Sequence, residues 1–218
     1  MQPSALVFEM IDASTARKVT PELRTSEASL EAHLDWEASG WPDFGMYYPI
    51  FAAAPEAAIF GGGLPRDDVR RAVGEGATVV FGDAASLFGL DQPLPEDQLE
   101  QRIALQREAH CNALPEEMLP GMVEAQRLRD AALARATVAA LEHTRAVGNR
   151  GPVVVIAGNG HARDDWGIPA KLRAYYGGDV VIGTLGQYED TPPDSAPFSK
   201  MLSAAPAERD DPCAAFAK

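Results

Sequence analysis

Residues 153–163 read VVVIAGNGHAR, a short run of β-branched residues followed by a glycine-rich turn. The run from Val153 to Ala157 favours a buried strand, because β-branched side chains pack well on a pleated surface. In open parallel sheets ligands bind beyond the carboxyl ends of the strands, and glycines let the backbone turn sharply and approach a ligand. The turn therefore predicts a site that contains His161 and Arg163. The alternative interpretation is an ordinary strand-to-helix turn with a histidine on the surface.

Other short apolar runs alternate along the chain with segments of helical pattern. The further segments predicted to be strands are 5–10, 57–60, 78–81 and 180–184. The segments predicted to be helices are 26–36, 42–54, 65–73, 96–110, 115–147 and 169–176. This alternation predicts an α/β fold with a mainly parallel sheet flanked by helices, in which the strand at 153–157 is central.

Two stretches depart from the alternation. The long helical stretch at about 91–147 predicts a small helical subdomain, inserted in a single domain that spans residues 1–188. Residues 189–218 are rich in Pro, Ala, Ser and Asp, a composition that predicts an extended, loosely attached C-terminal tail.

Composition and charge exclude several classes of function. The net charge of −13 over 218 residues should repel nucleic acid and anionic membranes. The longest apolar runs are the length of a strand, so no direct membrane span is expected. Residues 1–4 lead straight into the apolar run at 5–8 without a basic region or a cleavage site. If the start is genuine, a cytoplasmic protein is expected.

Cys111 and Cys213 are the two cysteines of the chain. They form neither a CxxC motif nor a metal-ligand cluster, so two unpaired thiols are one expectation. A disulfide that fastens the C-terminal tail to the helical region is the alternative, and it requires an oxidising compartment. That alternative places the two Cα atoms within about 7 Å of each other.

Charged and polar residues interrupt two apolar patterns. Glu9 ends the run Leu6-Val7-Phe8, where a carboxylate needs a partner such as His161 or Arg163 if the two strands are neighbours. At about 100° per residue, Gln126 and Arg129 fall on an otherwise apolar face of the long helix. The other members of that face are Met118, Met122, Leu133, Ala140 and His143. A buried arginine there would bind a carboxylate of the protein or of a ligand, unless it reaches solvent or pairs with Asp130 or Glu9.

An aromatic segment runs from Trp36 to Phe51. Its Tyr47 and Phe51 are four residues apart and would share one helix face. Such a face suits a large flat ligand, but taken alone it favours ordinary core packing.

Several of these segments together resemble the ChaN-like family of bacterial haem-binding uptake proteins. The similarity runs from residue 5 to about residue 186 and depends on the order and spacing of its pieces. Those pieces are LVFEM at 6–10, WEASGWPD at 36–43 with Tyr47 and Pro49-Ile50, HC at 110–111, MVEAQ at 122–126 with Arg129-Asp130, and GNGHAR at 158–163 with WGIP at 166–169.

The resemblance implies haem binding in iron acquisition, with haem held at the interface of a homodimer. It also implies a periplasmic or outer-membrane-associated protein. Tyrosine is a suitable ligand for ferric haem iron, and Tyr47 is the expected metal ligand, with Tyr48 as the alternative. Haem is an apolar plate with two carboxylates, so it requires apolar walls and a basic edge. The further cofactor-binding residues expected from the resemblance are Met122, Gln126, Arg129, His161 and Arg163.

The family is similar in turn to TIKI-type metalloproteases and erythromycin esterase-like proteins, which carry two GxxH-type motifs. Gly158 to His161 matches the second motif, whereas the first, expected on a strand before Glu9, does not occur in this sequence. The resemblance therefore predicts an open sheet edge near residues 5–10. It also leaves a second hypothesis, a hydrolase that uses Glu9, His161 and Arg129 with a metal ion or an activated water. A third hypothesis is an α/β scaffold that binds no ligand.

Overall fold

The structure is a computed structural model that describes residues 2–207, 211, 213 and 214. The strands are β1 (Ala5–Asp12), β2 (Ala58–Gly63), β3 (Val153–Ile156), β4 (Leu185–Glu189) and β5 (Lys200–Ala204). The α-helices are α1 (Ala13–Ala16), α2 (Glu27–Leu34), α3 (Trp36–Ser39), α4 (Tyr48–Ala53), α5 (Arg66–Glu75), α6 (Ala77–Phe81), α7 (Glu96–Ala109), α8 (Leu119–Ala146), α9 (Asn159–Ala162) and α10 (Ile168–Tyr176). Short 3₁₀ helices occupy Leu23–Thr25, Phe44–Met46, Gly82–Phe88 and Glu116–Met118.

The chain divides into two compact units. The first contains residues up to 65 together with 132–158, and the second contains residues 66–131 together with the chain from 159 onward. Helix α8 contributes residues to both units, and β1, β2 and β3 belong to the first. Within the described residues, no helix is both long and apolar enough to span a membrane.

The sheet of the first unit is parallel throughout and has the strand order β2-β1-β3. The α/β class with a parallel sheet flanked by helices is therefore confirmed. The prediction that the strand at 153–157 is central is wrong, because β1 is the central strand and β3 lies at an edge. The burial explains the order: the residues from Ala5 to Phe8 are fully buried, whereas Val154 in β3 is 39% exposed. The prediction of an open sheet edge near residues 5–10 is also wrong, because β1 pairs with a strand on each side.

The core of the first unit lies between β1 and the aromatic helices. Phe8 stacks on Phe51 with ring centroids 4.3 Å apart, and Trp36 packs against Phe44 at 5.0 Å. Leu30 and Leu34 of α2 are buried in the same cluster. Most of the aromatic segment therefore forms core packing, which was the alternative to a ligand-binding face.

Two predicted strands of the second unit take other conformations. Residues 78–81 belong to helix α6, whose first N–H, at Ala77, donates to Glu124 Oε2 at 2.9 Å. An apolar run of four residues cannot be distinguished from a buried helical turn by its pattern alone. Residues 180–184 form no strand, and Val181 is fully exposed. Strand β4 begins one residue later and pairs in parallel with β5.

The C-terminal segment is attached to the second unit at two points, which differs from the predicted loose tail. Residues 200–204 form β5, and Cys213 forms a disulfide with Cys111, just after the end of α7. The Cα atoms of the two cysteines are 5.6 Å apart. The expectation of two unpaired thiols is therefore wrong, and the alternative disulfide is confirmed.

Candidate functional site

The second unit contains a pocket of about 340 Å³ next to the turn that follows β3. Its walls are mostly apolar and aromatic, with a few amides and two arginines among them. The lining residues are Arg102, Leu105, Gln106, Ala109, Val123, Gln126, Asn159, Gly160, Arg163, Trp166, Tyr188, Pro197 and Phe198. The glycine-rich turn therefore does border a cavity, as the position of residues 158–163 predicts.

The side chain of Asn159 joins this turn to strand β4. Its Nδ2 donates to the Gln187 carbonyl at 2.6 Å, and its Oδ1 accepts from the Gln187 N–H at 3.1 Å. A second link is the hydrogen bond from the Asp164 N–H to the Pro197 carbonyl at 2.7 Å. These bonds hold Tyr188 and Phe198 at the pocket wall.

Two guanidinium groups contact the indole ring of Trp166. The guanidinium carbon of Arg163 lies 3.4 Å from the ring centroid, and that of Arg102 lies 5.0 Å from it. Arg163 also binds Asp165 with two hydrogen bonds, of 2.7 and 2.8 Å. The aromatic surface of Trp166 therefore lies next to the positive charges of Arg102 and Arg163, an arrangement that suits a ligand that is both apolar and anionic.

A network of buried charged groups includes His161. Asp130 is completely buried, and its Oδ1 lies 2.6 Å from His161 Nδ1. The Gln126 side-chain nitrogen lies 3.0 Å from the same His161 atom. His161 itself is buried and is not among the residues that line the pocket. The structure places Gln126 and Asp130 beside His161, and Arg163 lines the pocket together with Gln126. The role of these residues in binding a ligand stays a prediction.

Arg102 is a buried charged side chain of the pocket wall that is only partly satisfied by hydrogen bonds. Its Nη2 donates to Gln98 Oε1 at 3.1 Å and to the Trp166 carbonyl at 3.4 Å. Its Nη1 lies 3.9 Å from Asp130 Oδ2, and neither Nε nor Nη1 has a hydrogen-bond partner among the described residues. Burial lowers the pKa of Arg102 to about 10, although the nearby Asp130 opposes the shift. Desolvation therefore outweighs the attraction that Asp130 supplies.

Lys171 is buried beside this network. Burial, with Arg127 nearby, lowers the pKa of Lys171 to about 8, and Asp130 acts in the opposite direction. In the unfolded chain the lysine pKa is about 10.4. Because the folded pKa is the lower one, the unfolded chain binds more protons between about pH 8 and pH 10.4. The free energy of unfolding therefore rises with pH across that window.

We expect Lys171→Met to stabilise the protein at pH 7, by up to about 3 kcal/mol, because it removes a buried charge that costs desolvation energy. The advantage should shrink between about pH 8 and pH 10.4, where the wild-type lysine loses its charge on folding. Urea denaturation at a series of pH values measures both effects. Lys18→Met, at an exposed lysine, should change the free energy of unfolding by less than about 0.5 kcal/mol. A destabilised Lys171→Met at pH 7 would show that the attraction of Asp130 and Glu124 for Lys171 outweighs the cost of burying its charge.

Glu9 lies in β1 just after the last residue of that strand that pairs with β3, and its Oε2 accepts from the Gly158 N–H at 2.8 Å. This bond is possible because β1 and β3 are neighbouring strands. The prediction that Glu9 pairs with His161 or Arg163 required the same arrangement. The pairing of Glu9 with His161 or Arg163 stays a prediction.

The two candidate tyrosines differ in their surroundings, and both belong to the first unit. The Tyr48 hydroxyl donates to the Arg24 carbonyl at 3.2 Å. Tyr47 is half-buried, with its ring centroid 4.9 Å from that of Trp36. Burial and the negative charge of Glu9 raise the pKa of Tyr47, so the phenol form is favoured there. An arginine close to the phenol would favour the phenolate, whereas the charge that acts on Tyr47 is the carboxylate of Glu9.

The remaining predicted residues lie on α8. Met122 and Arg129 are both partly buried, and neither lines the pocket around Trp166. Their contact with haem stays a prediction, as it does for Gln126, His161 and Arg163. Among the described residues, no group of three or more His, Cys, Asp or Glu side chains is placed to hold a metal ion.

Sequence reasoning did not select Arg102 or Lys171. It named Asp130 as a possible partner of Arg129 and as part of a matching segment, and Trp166 only as part of a matching segment. Arg102 stands in a helix with no motif around it, so its burial follows only from the packing of α7 against residues 64 positions away. The WGIP segment at 166–169 was the available signal for Trp166, because a tryptophan soon after a glycine-rich turn lies close to any site at that turn.

The comparisons with known proteins agree with the fold. A family model described as haem-binding uptake, Tiki superfamily, ChaN matches residues 1–172. The structure is similar to a solved one described as cofacial haem binding to ChaN of Campylobacter jejuni, with a TM-score of 0.59 and 16% sequence identity. The match covers 90% of this chain and 72% of that chain, and at this identity it shows the fold alone. No curated protein sequence matches the chain.

Proposed function

We propose that this protein binds haem as the cargo of an uptake system, because the chain belongs to the ChaN family of haem-binding uptake proteins of the Tiki superfamily. The observation that carries the proposal is the extent of the family match, which includes residues 1–172 and thus all three strands of the sheet. The first unit supplies two of the groups that haem needs, a phenol at Tyr47 and apolar side chains beside it.

The iron ligand in this proposal is the Tyr47 phenol oxygen. The Tyr48 hydroxyl is engaged by a backbone carbonyl, and this engagement favours Tyr47 over its neighbour. Around Tyr47 the surface offers apolar side chains to a flat ligand, since Met46 is 63% exposed and Trp41 and Ile50 are partly buried. The raised pKa of Tyr47 acts against the proposal, because binding of ferric iron as a phenolate has to displace the phenol proton.

The assembly and the compartment are part of the same proposal. A ligand on an open surface leaves one face of the haem exposed, and a second copy of the chain would cover that face. The related structure from Campylobacter jejuni is described as binding haem cofacially, which supports a homodimer with haem at its interface. The disulfide between Cys111 and Cys213 supports a periplasmic or outer-membrane-associated location, since disulfides persist in oxidising compartments.

Haem titration of the Tyr47→Phe variant tests the function and the ligand together. We expect wild-type protein to bind ferric haem saturably, with a shifted Soret band and the charge-transfer bands of a high-spin phenolate complex. Tyr47→Phe should lose those bands and weaken binding at least about tenfold, which corresponds to about 1.4 kcal/mol. Tyr48→Phe is the matched control and should keep the spectrum, because it removes the neighbouring hydroxyl only.

The other outcomes are equally informative. If both variants bind haem with unchanged spectra, neither tyrosine is the ligand, and haem binding itself stands. If the wild-type protein shows no saturable change in the Soret band, the proposed function is wrong.

A further inference from the structure

The pocket around Trp166 has the composition of a small-molecule site, whether or not the protein binds haem. Its volume of about 340 Å³ is at the lower end of the range of about 300–1,000 Å³ that is usual for ligand pockets. Leu105, Trp166, Tyr188 and Phe198 supply apolar and aromatic walls. Such walls bind the apolar body of a ligand and leave a polar end to be recognised by the few polar side chains.

Arg102 is a buried polar group of this wall that is only partly satisfied by hydrogen bonds. It is 4% exposed, and two of its three guanidinium nitrogens have no hydrogen-bond partner among the described residues. A buried donor without a partner costs about 1–3 kcal/mol, and more when it is charged. An anion in the pocket would remove that cost by accepting hydrogen bonds from Arg102.

The charge balance behind the wall also favours an anion. Arg102, Arg127 and Lys171 are all buried, and Asp130 is the buried carboxylate that faces Arg102. Arg127 is satisfied by Glu124 and by the carbonyls of Leu90 and Gln92. Asp130 is shared with His161, and its second oxygen lies 3.9 Å from Arg102 Nη1. This distance is too long for a direct hydrogen bond.

We propose that this pocket binds a carboxylate carried on an apolar body, with Arg102 binding the carboxylate and Trp166 and Phe198 contacting the body. Arg163 lies on the Trp166 ring and adds positive charge on the same side. The carboxylate has two possible sources, a free small acid or the propionate arm of a haem. The site does not depend on the haem proposal, because its residues and its charge are complete within the second unit.

Calorimetric titration with 2-naphthoate tests the site in the full-length wild-type protein. This probe is a flat apolar body with one carboxylate, and 2-naphthamide is its neutral isostere. We expect saturable, equimolar binding of the acid, and binding of the amide at least about tenfold weaker, because a charge-assisted hydrogen bond is lost. No saturable binding of the acid, or equal binding of acid and amide, overturns the proposal without the use of any variant.

Arg102→Gln then assigns the anion contact. It should weaken binding of the acid about tenfold or more and leave the amide unaffected, with circular dichroism to show that the variant is folded. Arg107→Gln is the matched control on the same helix, since Arg107 is only partly buried, does not line the pocket and pairs with Glu116. Retention of acid binding by a folded Arg102→Gln protein would overturn the role of Arg102. Loss of the acid's preference over the amide only in Arg102→Gln would support it.

Competition with haem identifies the source of the carboxylate. If ferric haem displaces 2-naphthoate and haem dimethyl ester displaces it more weakly, the pocket holds a propionate arm. If haem and 2-naphthoate bind independently, the pocket is a separate site for a free acid, and both results support the proposal. Haem binding without any 2-naphthoate binding contradicts this inference alone. Binding of 2-naphthoate without haem binding contradicts the proposed function alone.

Discussion

Cys213→Ser is expected to lower the free energy of unfolding by about 4–5 kcal/mol. The cysteines of the disulfide are 102 residues apart in sequence. Closing a loop of about 100 residues restricts the unfolded chain by about 4.7 kcal/mol in the loop-entropy description. The cross-link also holds the segment that contains β5 and Phe198, so its loss should raise amide hydrogen exchange at Lys200–Ala204 more than in α8.

Chemical reduction provides the control for the disulfide. A reducing agent should destabilise the wild-type protein by the same amount as Cys213→Ser, and it should have no further effect on Cys213→Ser or Cys111→Ser. Urea denaturation with and without the reducing agent measures all three. A change below about 1 kcal/mol on reduction would show that the unfolded chain gains little freedom when the cross-link is opened.

The sequence predicted the elements of the fold well where the pattern was local and strong. The β-branched run at 153–156 and the fully apolar run at 5–8 both form strands, because either composition suits a buried strand. The order of the strands was harder to predict from the sequence. A central strand and an edge strand can have the same residues and differ only in whether a neighbouring strand lies on each side. Both β1 and β3 are apolar, so their residues do not show which of them is central. β1 is the central strand because it pairs with β2 on one side and with β3 on the other.

The candidate site was predictable to the extent that it follows strand ends and helix faces. The turn after β3 and the polar positions on α8 led to the choice of His161, Arg163 and Gln126, and the structure places Gln126 and Asp130 beside His161. Arg102 could not be found in this way. It resembles the surface arginines of any amphipathic helix, and only the contact of α7 with Trp166 makes it a buried group with missing partners. Long-range packing, which no local pattern encodes, thus decides the charge of the pocket.

Asp130 is the buried carboxylate among these packed groups, and we expect its negative charge to stabilise the second unit. It is completely buried, binds His161 at 2.6 Å and faces Arg102 at 3.9 Å, with Lys171 also within electrostatic range. Removing one partner of a buried ion pair leaves the other charge without compensation, at a cost of about 3–5 kcal/mol. We therefore expect Asp130→Asn, which keeps the size and one oxygen of the side chain, to lower the free energy of unfolding by that amount.

A double-mutant cycle shows whether this cost comes from Arg102. In Asp130→Asn combined with Arg102→Met, both charges are absent, and the loss of stability should be smaller than the sum of the two single losses by about 1–3 kcal/mol. Asp67→Asn, at a surface ion pair in which both side chains are mostly exposed, should cost less than about 1 kcal/mol. Urea denaturation at pH 7 measures each free energy. An Asp130→Asn protein within about 1 kcal/mol of wild type would mean that His161 needs only a neutral acceptor and that Arg102 is compensated by other groups. Additive losses in the double variant would separate Arg102 from Asp130, and the unpaired donors of Arg102 would then have to be satisfied from the pocket side.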